Sequence, residues 1–309
     1  YPEWFSKNSG SVISTTIDKY CYINLRRLPP FFNYKFRLRY FKKEEVKKIS
    51  EIKHPSIREC LKFLEFTNDE GLEIVHNADL PALSGLGSSS TFTVSFLHAL
   101  YALRNEIVTK KKLAMDAINI ERSKIREKVG SQDQTAAAFG GINHIIFEQN
   151  GNLKVNNLLV SSEQIVELER NSVLLFTGLQ RKANLIAKDK VNNIKKKKSF
   201  NYLNEMASLT NQVLNEIFLK KKIDFKSFGE ALKYQWSLKK KLSNQVTNYQ
   251  INSIFNQAYS QGAYGGKLLG AGNGGFLLFM ANKFAQKKII KSLKQLEKMY
   301  IRFDYSGTR

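Results

Sequence analysis

Long apolar runs are missing from this 309-residue chain. The longest, such as Phe276 to Ala281, fall far short of the roughly 18 to 20 residues that a bilayer span needs, which excludes a helical membrane protein. Nothing at the start resembles a secretion signal, so the expected location is cytoplasmic. Cysteine is scarce as well. With only Cys21 and Cys60, neither a disulfide framework nor a cysteine-rich zinc site can be built. Internal repeats and low-complexity linkers are absent, which leaves a globular chain long enough for one large or two ordinary domains.

Acidic residues are in short supply. Against 27 Asp plus Glu stand 49 Lys plus Arg, a formal charge of +22 that favours anionic partners. Lys outnumbers Arg, and its clusters at Lys42–Lys43, Lys47–Lys48, Lys110 to Lys112, Lys195 to Lys198 and Lys220 to Lys222 are spread along the chain. Base reading favours clustered Arg, so these runs read as solvated helix faces and loops. Attraction of small phosphorylated substrates and an electrostatic nucleic-acid surface are the alternatives.

Hydrophobic spacing predicts strands within Val12 to Leu28, stopped by Pro29-Pro30, and at Tyr34 to Phe41, Leu72 to His76 and Ile142 to Phe147. It predicts a helix from Pro55, a helix apolar nearly all round at Thr91 to Arg104, and an amphipathic helix at Leu113 to Lys128. The second half opens with a strand at Val173 to Thr177, followed by a largely helical region from about Leu185 to Gln261. A glycine-dense loop at Gly265 to Gly275, a strand at Phe276 to Met280, a helix at Lys283 to Lys298 and a strand near Met299 to Phe303 complete it. The class is α+β, in two domains, 1–170 and 171–309, facing each other across a cleft.

Three segments carry chemistry. In Pro81-Ala82-Leu83-Ser84-Gly85-Leu86-Gly87-Ser88-Ser89-Ser90, glycines free the backbone just before a buried helix. Main-chain N–H groups there can converge on a phosphate, aided by the partial positive charge of the helix start. The serines can cap the helix or give a hydroxyl oxygen to magnesium, and a plain helix cap is the bland reading. No Lys follows as in a Walker loop. Next come Glu121 and, twelve residues on, Asp133 in Val129-Gly130-Ser131-Gln132-Asp133-Gln134. Two carboxylates suit metal binding and proton acceptance in phosphoryl transfer. Taken alone, Glu121 among Arg122, Lys124 and Arg126 reads as a surface ion-pair partner. Asp133, in what reads as a loop before a small apolar run, is harder to dismiss. The third segment, Gly270-Ala271-Gly272-Asn273-Gly274-Gly275, either approaches phosphates from a second side or forms a flexible hairpin.

In order and spacing these elements resemble the GHMP kinases. Pro81 to Ser89 matches the family pattern P-x-x-x-G-L-G-S-S, and Gly270 to Gly275 its glycine-rich third motif. The likeness covers essentially the whole chain. Val129 to Gly141, Thr15 to Tyr20 and Leu28 to Phe32 look most like members acting on D-glycero-D-manno-heptose 7-phosphate. The resemblance implies a first domain like ribosomal protein S5 domain 2 and a ferredoxin-like second domain. It implies ATP and Mg²⁺, with Ser89 and Glu121 as metal ligands, Asp133 as catalytic base, and Pro81, Gly85, Leu86, Gly87, Ser88, Ser89 and Ser90 around the triphosphate. It puts Asp18, Gln132, Gly270, Gly272, Asn273 and Gly274 toward the substrate. Arg26, Arg27, Arg181 and Lys182 are candidates for the sugar phosphate on local chemistry only, with exposed surface charge as the bland reading.

The implied reaction moves the ATP γ-phosphoryl group to the anomeric hydroxyl of the heptose 7-phosphate, giving the 1,7-bisphosphate for nucleotide-activated heptose and cell-surface polysaccharide. A galactokinase-like or homoserine kinase-like acceptor is the near alternative, and a non-catalytic nucleic-acid binder the far one. The expected partners are the phosphorylated sugar and ATP, with no nucleic acid, no membrane and, at most, further copies of the chain. Two departures stand out. Asn273 interrupts the usual glycine run, and the family's first motif, Gly-Gly-Gly-Thr-Asp, would fall before Tyr1, so the native chain is expected to start earlier.

Overall fold

The structure, a computed structural model, describes residues 1–82, 84–179 and 183–309. In chain order its strands are β1 (Gly10–Ile17), β2 (Cys21–Arg27), β3 (Phe36–Arg39), β4 (Lys43–Val46), β5 (Leu72–Ala78), β6 (Ile142–Phe147), β7 (Leu153–Asn157), β8 (Ser172–Phe176), β9 (Gly265–Leu268), β10 (Phe276–Met280), β11 (Glu297–Met299) and β12 (Phe303–Asp304). The helices are α1 (Pro2–Asn8), α2 (Pro55–Phe63), α3 (Ser88–Leu103), α4 (Lys110–Asn119), α5 (Gln132–Phe139), α6 (Ser162–Asn171), α7 (Ala183–Lys195), α8 (Phe200–Val213), α9 (Phe225–Lys241), α10 (Tyr249–Ser260) and α11 (Lys283–Ser292). No helix among the described residues is long and apolar enough to cross a membrane.

The chain divides into two compact units, each assembled from separate stretches of sequence. One comprises Lys19–Pro81, Gly87–Gly140 and Tyr305–Arg309, and the other Tyr1–Asp18, Ala82–Leu86 and Gly141–Asp304.

The first of these units holds the sheet β2-β5-β3-β4, with β3 parallel to β5 and the other pairs antiparallel. Strand alternation puts Phe36, Leu38, Leu72 and Ile74 on one face, where they join Ile57 and Leu61 of α2 and Phe92, Phe96 and Leu97 of α3 in one core. The opposite face is charged: Glu73 accepts from Arg26 Nε at 2.5 Å and Arg37 Nη1 at 3.3 Å. Pro55 and a bond from the Ile57 N–H to His54 Nδ1 start α2.

Helix α3 begins at Ser88, three residues before the apolar run, so all three serines lie in its first turn. Helix α4 stops at Asn119 and continues as a π-helical turn, Ile120–Lys124, rather than as one α-helix to Lys128. Asp133, read as a loop residue, lies in the first turn of α5.

The other unit contains two antiparallel sheets, β12-β1-β6-β7 and β11-β8-β10-β9. Val173, Leu175, Leu277 and Phe279 of the second sheet pack with Trp236, Ile251 and Phe255. A separate cluster gathers Ile142, Leu168, Val213, Ile217 and Leu232. Side-chain caps set several helix starts: Ser161 with Gln164 for α6, Asp224 for α9, Asn248 for α10 and Asn282 for α11. Part of the expected glycine loop is strand β9, and α11 ends at Ser292, where the following residues turn into β11.

Phe96 is fully buried in the first unit's core. Phe96→Ala should lower stability by about 3–5 kcal/mol, read as a shifted urea midpoint at an unchanged slope.

Candidate active site

The start of α3 has an open N-terminus because its N-cap, Gly87, carries no side chain to bond the first N–H groups. These groups have no intrahelical acceptor and remain available to an anion. Gly87 adopts φ 75°, in the left-handed region where a side chain is strained. A Cβ built on it would stand 3.3 Å from both Cβ and Cγ of Asp133. The acid from the start of α5 therefore lies directly against the bend that opens α3. Gln132 donates to Asp133 Oδ1 at 3.2 Å.

Glu121, bonded to Ser90 of the same helix start, is a buried acid: it is 1% exposed, on the π turn, where the Ile125 N–H reaches back to Ile120 O at 2.8 Å. This is the reverse of the surface ion pair suggested by its basic neighbours. A π turn holds an extra residue relative to an α turn, which changes the face on which the following side chains fall. Ser90 Oγ donates to Glu121 Oε2 at 2.9 Å and Gln134 Nε2 donates to the same oxygen at 2.5 Å. Glu121 Oε1 and Gln134 Oε1 are buried and meet no hydrogen-bond donor among the described residues. Ser89, assigned to the metal by the family pattern, is exposed, and its carbonyl accepts from Thr93 Oγ1 at 3.3 Å. Ser90, not Ser89, is the serine that bonds Glu121.

Burial pushes the Glu121 carboxyl up to about 7, opposed by the Thr93 and Ser90 hydroxyls and the Gln134 amide. A buried carboxylate oxygen without a donor, beside an amide oxygen and a hydroxyl, is an oxygen-only set that fits Mg²⁺.

The other unit contains the glycine loop between β9 and β10. Asn273 donates its N–H to Val246 O at 2.6 Å with φ 62°, and its Oδ1 accepts from Asn248 Nδ2 at 2.6 Å. Asn tolerates the left-handed region, so the interrupted glycine run keeps its turn. A Cβ at Gly275 would collide with the Ser84 carbonyl. The loop's carbonyls are held from behind: Lys239 Nζ donates to Leu268 O at 2.8 Å and Gly270 O at 2.7 Å, and buried Lys190 donates to Ala271 O. Neither lysine carried a sequence signal.

Asp18 is tied to Arg302 through backbone and carboxylate bonds of 2.8 and 3.0 Å. Arg26 and Arg27 are paired with Glu73 and Glu70. They sit at the end of β2 that faces Leu72 and Glu73, whereas the glycine bend follows the other end of β5 at Ala78. Five residues of strand, about 17 Å, separate Arg26 from that end. Arg181 and Lys182 lie outside the described residues.

Residues 55–141 match the family description "GHMP kinases N terminal domain", and residues 216–298 match "GHMP kinases C terminal". The D-glycero-alpha-D-manno-heptose 7-phosphate kinase of Campylobacter jejuni is 33% identical over 232 residues, 75% of this chain and 67% of that protein. The bifunctional fucokinase/GDP-fucose pyrophosphorylase of Arabidopsis thaliana is 29% identical over 77% of this chain but only 22% of its own length. The crystal structure of a D-glycero-D-manno-heptose 1-phosphate kinase from Bacteriodes thetaiotaomicron superposes with a TM-score of 0.74 at 23% identity, over 98% of this chain and 90% of that one.

Two predictions test this geometry. Gly87→Ala should cost about 1–2 kcal/mol of stability from the left-handed backbone alone and displace Asp133, so turnover should fall further than nucleotide binding. Equal losses in the two, measured by kinetics and calorimetric titration, would contradict the apposition. For Glu121, the folded value lies above the ordinary carboxylate value, so its favourable contribution is full below about pH 4.5 and is lost as pH rises through about 7. Urea titrations should show wild type losing on the order of 3 kcal/mol relative to Glu121→Gln between pH 4.5 and 8. Added Mg²⁺ should restore melting temperature at pH 8 in wild type and not in the variant.

Sequence motifs, fold and the matched relatives agree: this chain belongs to the GHMP kinases, ATP-dependent phosphotransferases with a two-domain fold of mixed helices and sheets.

Proposed function

We propose that the chain phosphorylates the anomeric hydroxyl of D-glycero-D-manno-heptose 7-phosphate, using ATP and producing the 1,7-bisphosphate. The observation that carries the chemistry is the Asp133 carboxyl against the side-chain-free bend at Gly87. Identity to the Campylobacter jejuni relative supports the acceptor.

In this reading the phosphoryl chain of ATP lies at the start of α3, where unpaired N–H groups and the helix dipole offset its negative charge. Asp133 accepts the proton of the acceptor hydroxyl as the oxygen attacks, and the absence of a Cβ at Gly87 leaves room for the reacting groups beside it. Glu121, with Ser90 or Ser89 and Gln134, would hold Mg²⁺. When bound, the metal neutralises phosphate charge. Gln134 fixes the Glu121 carboxylate by bonding Oε2, which leaves Oε1 as the oxygen directed away from protein donors. Both reactants are anions, so positioning and charge compensation are what the site must supply.

ATP consumption should be tested against heptose 7-phosphate, galactose, mevalonate and homoserine, with the product position assigned by phosphorus NMR. Turnover of the heptose phosphate alone, with a new resonance on the anomeric oxygen, is expected; preference for another acceptor refutes the substrate. Asp133→Asn should leave ATP affinity nearly intact while kcat falls roughly 10²-fold or more. Undiminished turnover would remove Asp133 from the base role.

A further inference from the structure

The helix that presents Asp133 has only eight residues. Its final carbonyls lack intrahelical donors, and a helix this short is marginal by itself. Its last turn is closed by one bond from its own C-cap and by groups remote in sequence. The Ala136 carbonyl accepts the Gly140 N–H at 3.0 Å, and the Ala137 carbonyl accepts the Thr308 N–H at 3.0 Å. Lys110 Nζ, at the start of α4, donates to Phe139 O and to Ser306 O, each at 2.8 Å. Thr308 Oγ1 also meets His98 Nδ1 of α3 at 3.1 Å.

Steric fit closes the same joint. A Cβ on Gly307 would come within 2.7 Å of Ala138 O, Gly140 N and the Phe139 carbonyl carbon, and one on Gly140 would overlap the Gly307 backbone. Segment Tyr305–Arg309 therefore lies flush on the end of α5, and Lys110 pins both at once. The ammonium also suits the negative end of the helix dipole.

We propose that Lys110, together with residues 306–308, is a composite C-terminal cap that positions Asp133 by holding α5 from its far end. Lys110 is thus a positioning residue for the reaction, acting through the helix without touching substrate. This rests on Asp133 being the base. An acid that drifts by about 1 Å from a reacting hydroxyl can cost 10²-fold in rate, so a cap one helix-length away has kinetic leverage.

Lys110 is exposed, so Lys110→Met should fold. Two readouts test the cap. Amide hydrogen exchange, measured without substrate, should speed up about tenfold at 137–140 in Lys110→Met while the amides of α3 stay as in wild type. Unchanged exchange overturns the cap whether or not the chain acts on heptose phosphate. The second readout is kinetic, on whichever acceptor the wild type turns over. Lys110→Met should lower kcat about tenfold with the KM for ATP within twofold, Lys110→Arg should recover most of the loss, and Lys110→Met should remove nothing more in an Asp133→Asn background. A multiplicative loss in the double variant, or a raised KM at constant kcat, overturns the positioning role. Failure of the substrate reading appears separately, as wild-type inactivity toward the heptose phosphate.

Discussion

The site depends on a side chain that does not exist. At Gly87 one backbone position serves as the N-cap of α3, as a left-handed turn and as the surface on which the Asp133 carboxyl rests. Any Cβ there would strain the turn and press on the acid together. Two helices of one unit therefore place an uncapped helix N-terminus and a carboxylate side by side. The neighbouring Glu121 is kept deep, with Ser90 and Gln134 sharing one of its oxygens.

Some of the chain's lysine is structural. Lys239 and Lys190 hold carbonyls of the glycine loop, Lys110 joins α5 to residues 306–308, and Lys112 bonds both Tyr101 and Asp116. The first three satisfy carbonyl oxygens that loops, strand ends and a helix end leave over, and Lys112 ties an acid and a hydroxyl together. Reading the basic runs as solvated faces describes Lys220 to Lys222, which are exposed, and misses these.

The glycine bend before α3 and the strands Ile142 to Phe147 and Phe276 to Met280 are legible because short-range pattern determines them, glycines before an apolar helix and β-branched runs between turns, whereas Asp133 beside that bend is expected only from the family resemblance. Glu121 was misread on its own residues because the π turn that takes it inward leaves no mark on hydrophobic spacing. Asp133 looked like a loop residue because Gly130 and Ser131 read as turn and α5 is short. Arg26 and Arg27 have the right chemistry for phosphate, yet strand register sets them beside Glu73 and Leu72, where they pair with Glu73 and Glu70, and register is a long-range property. Lys110, Lys190 and Lys239 bond carbonyls 29 to 196 residues away, which no local pattern encodes.

The interleaving of the two units has a temporal side. In synthesis, Gly140 leaves the ribosome 165 residues before Tyr305. At roughly 5–20 residues per second, the helix bearing the acid waits roughly 8 to 33 seconds for the segment that seats it. During that interval a nascent chain has the start of α3 and the acid but not the proposed joint behind them. On this view, an unfinished polypeptide is a poor phosphotransferase, and competence arrives only as residues 306–308 dock.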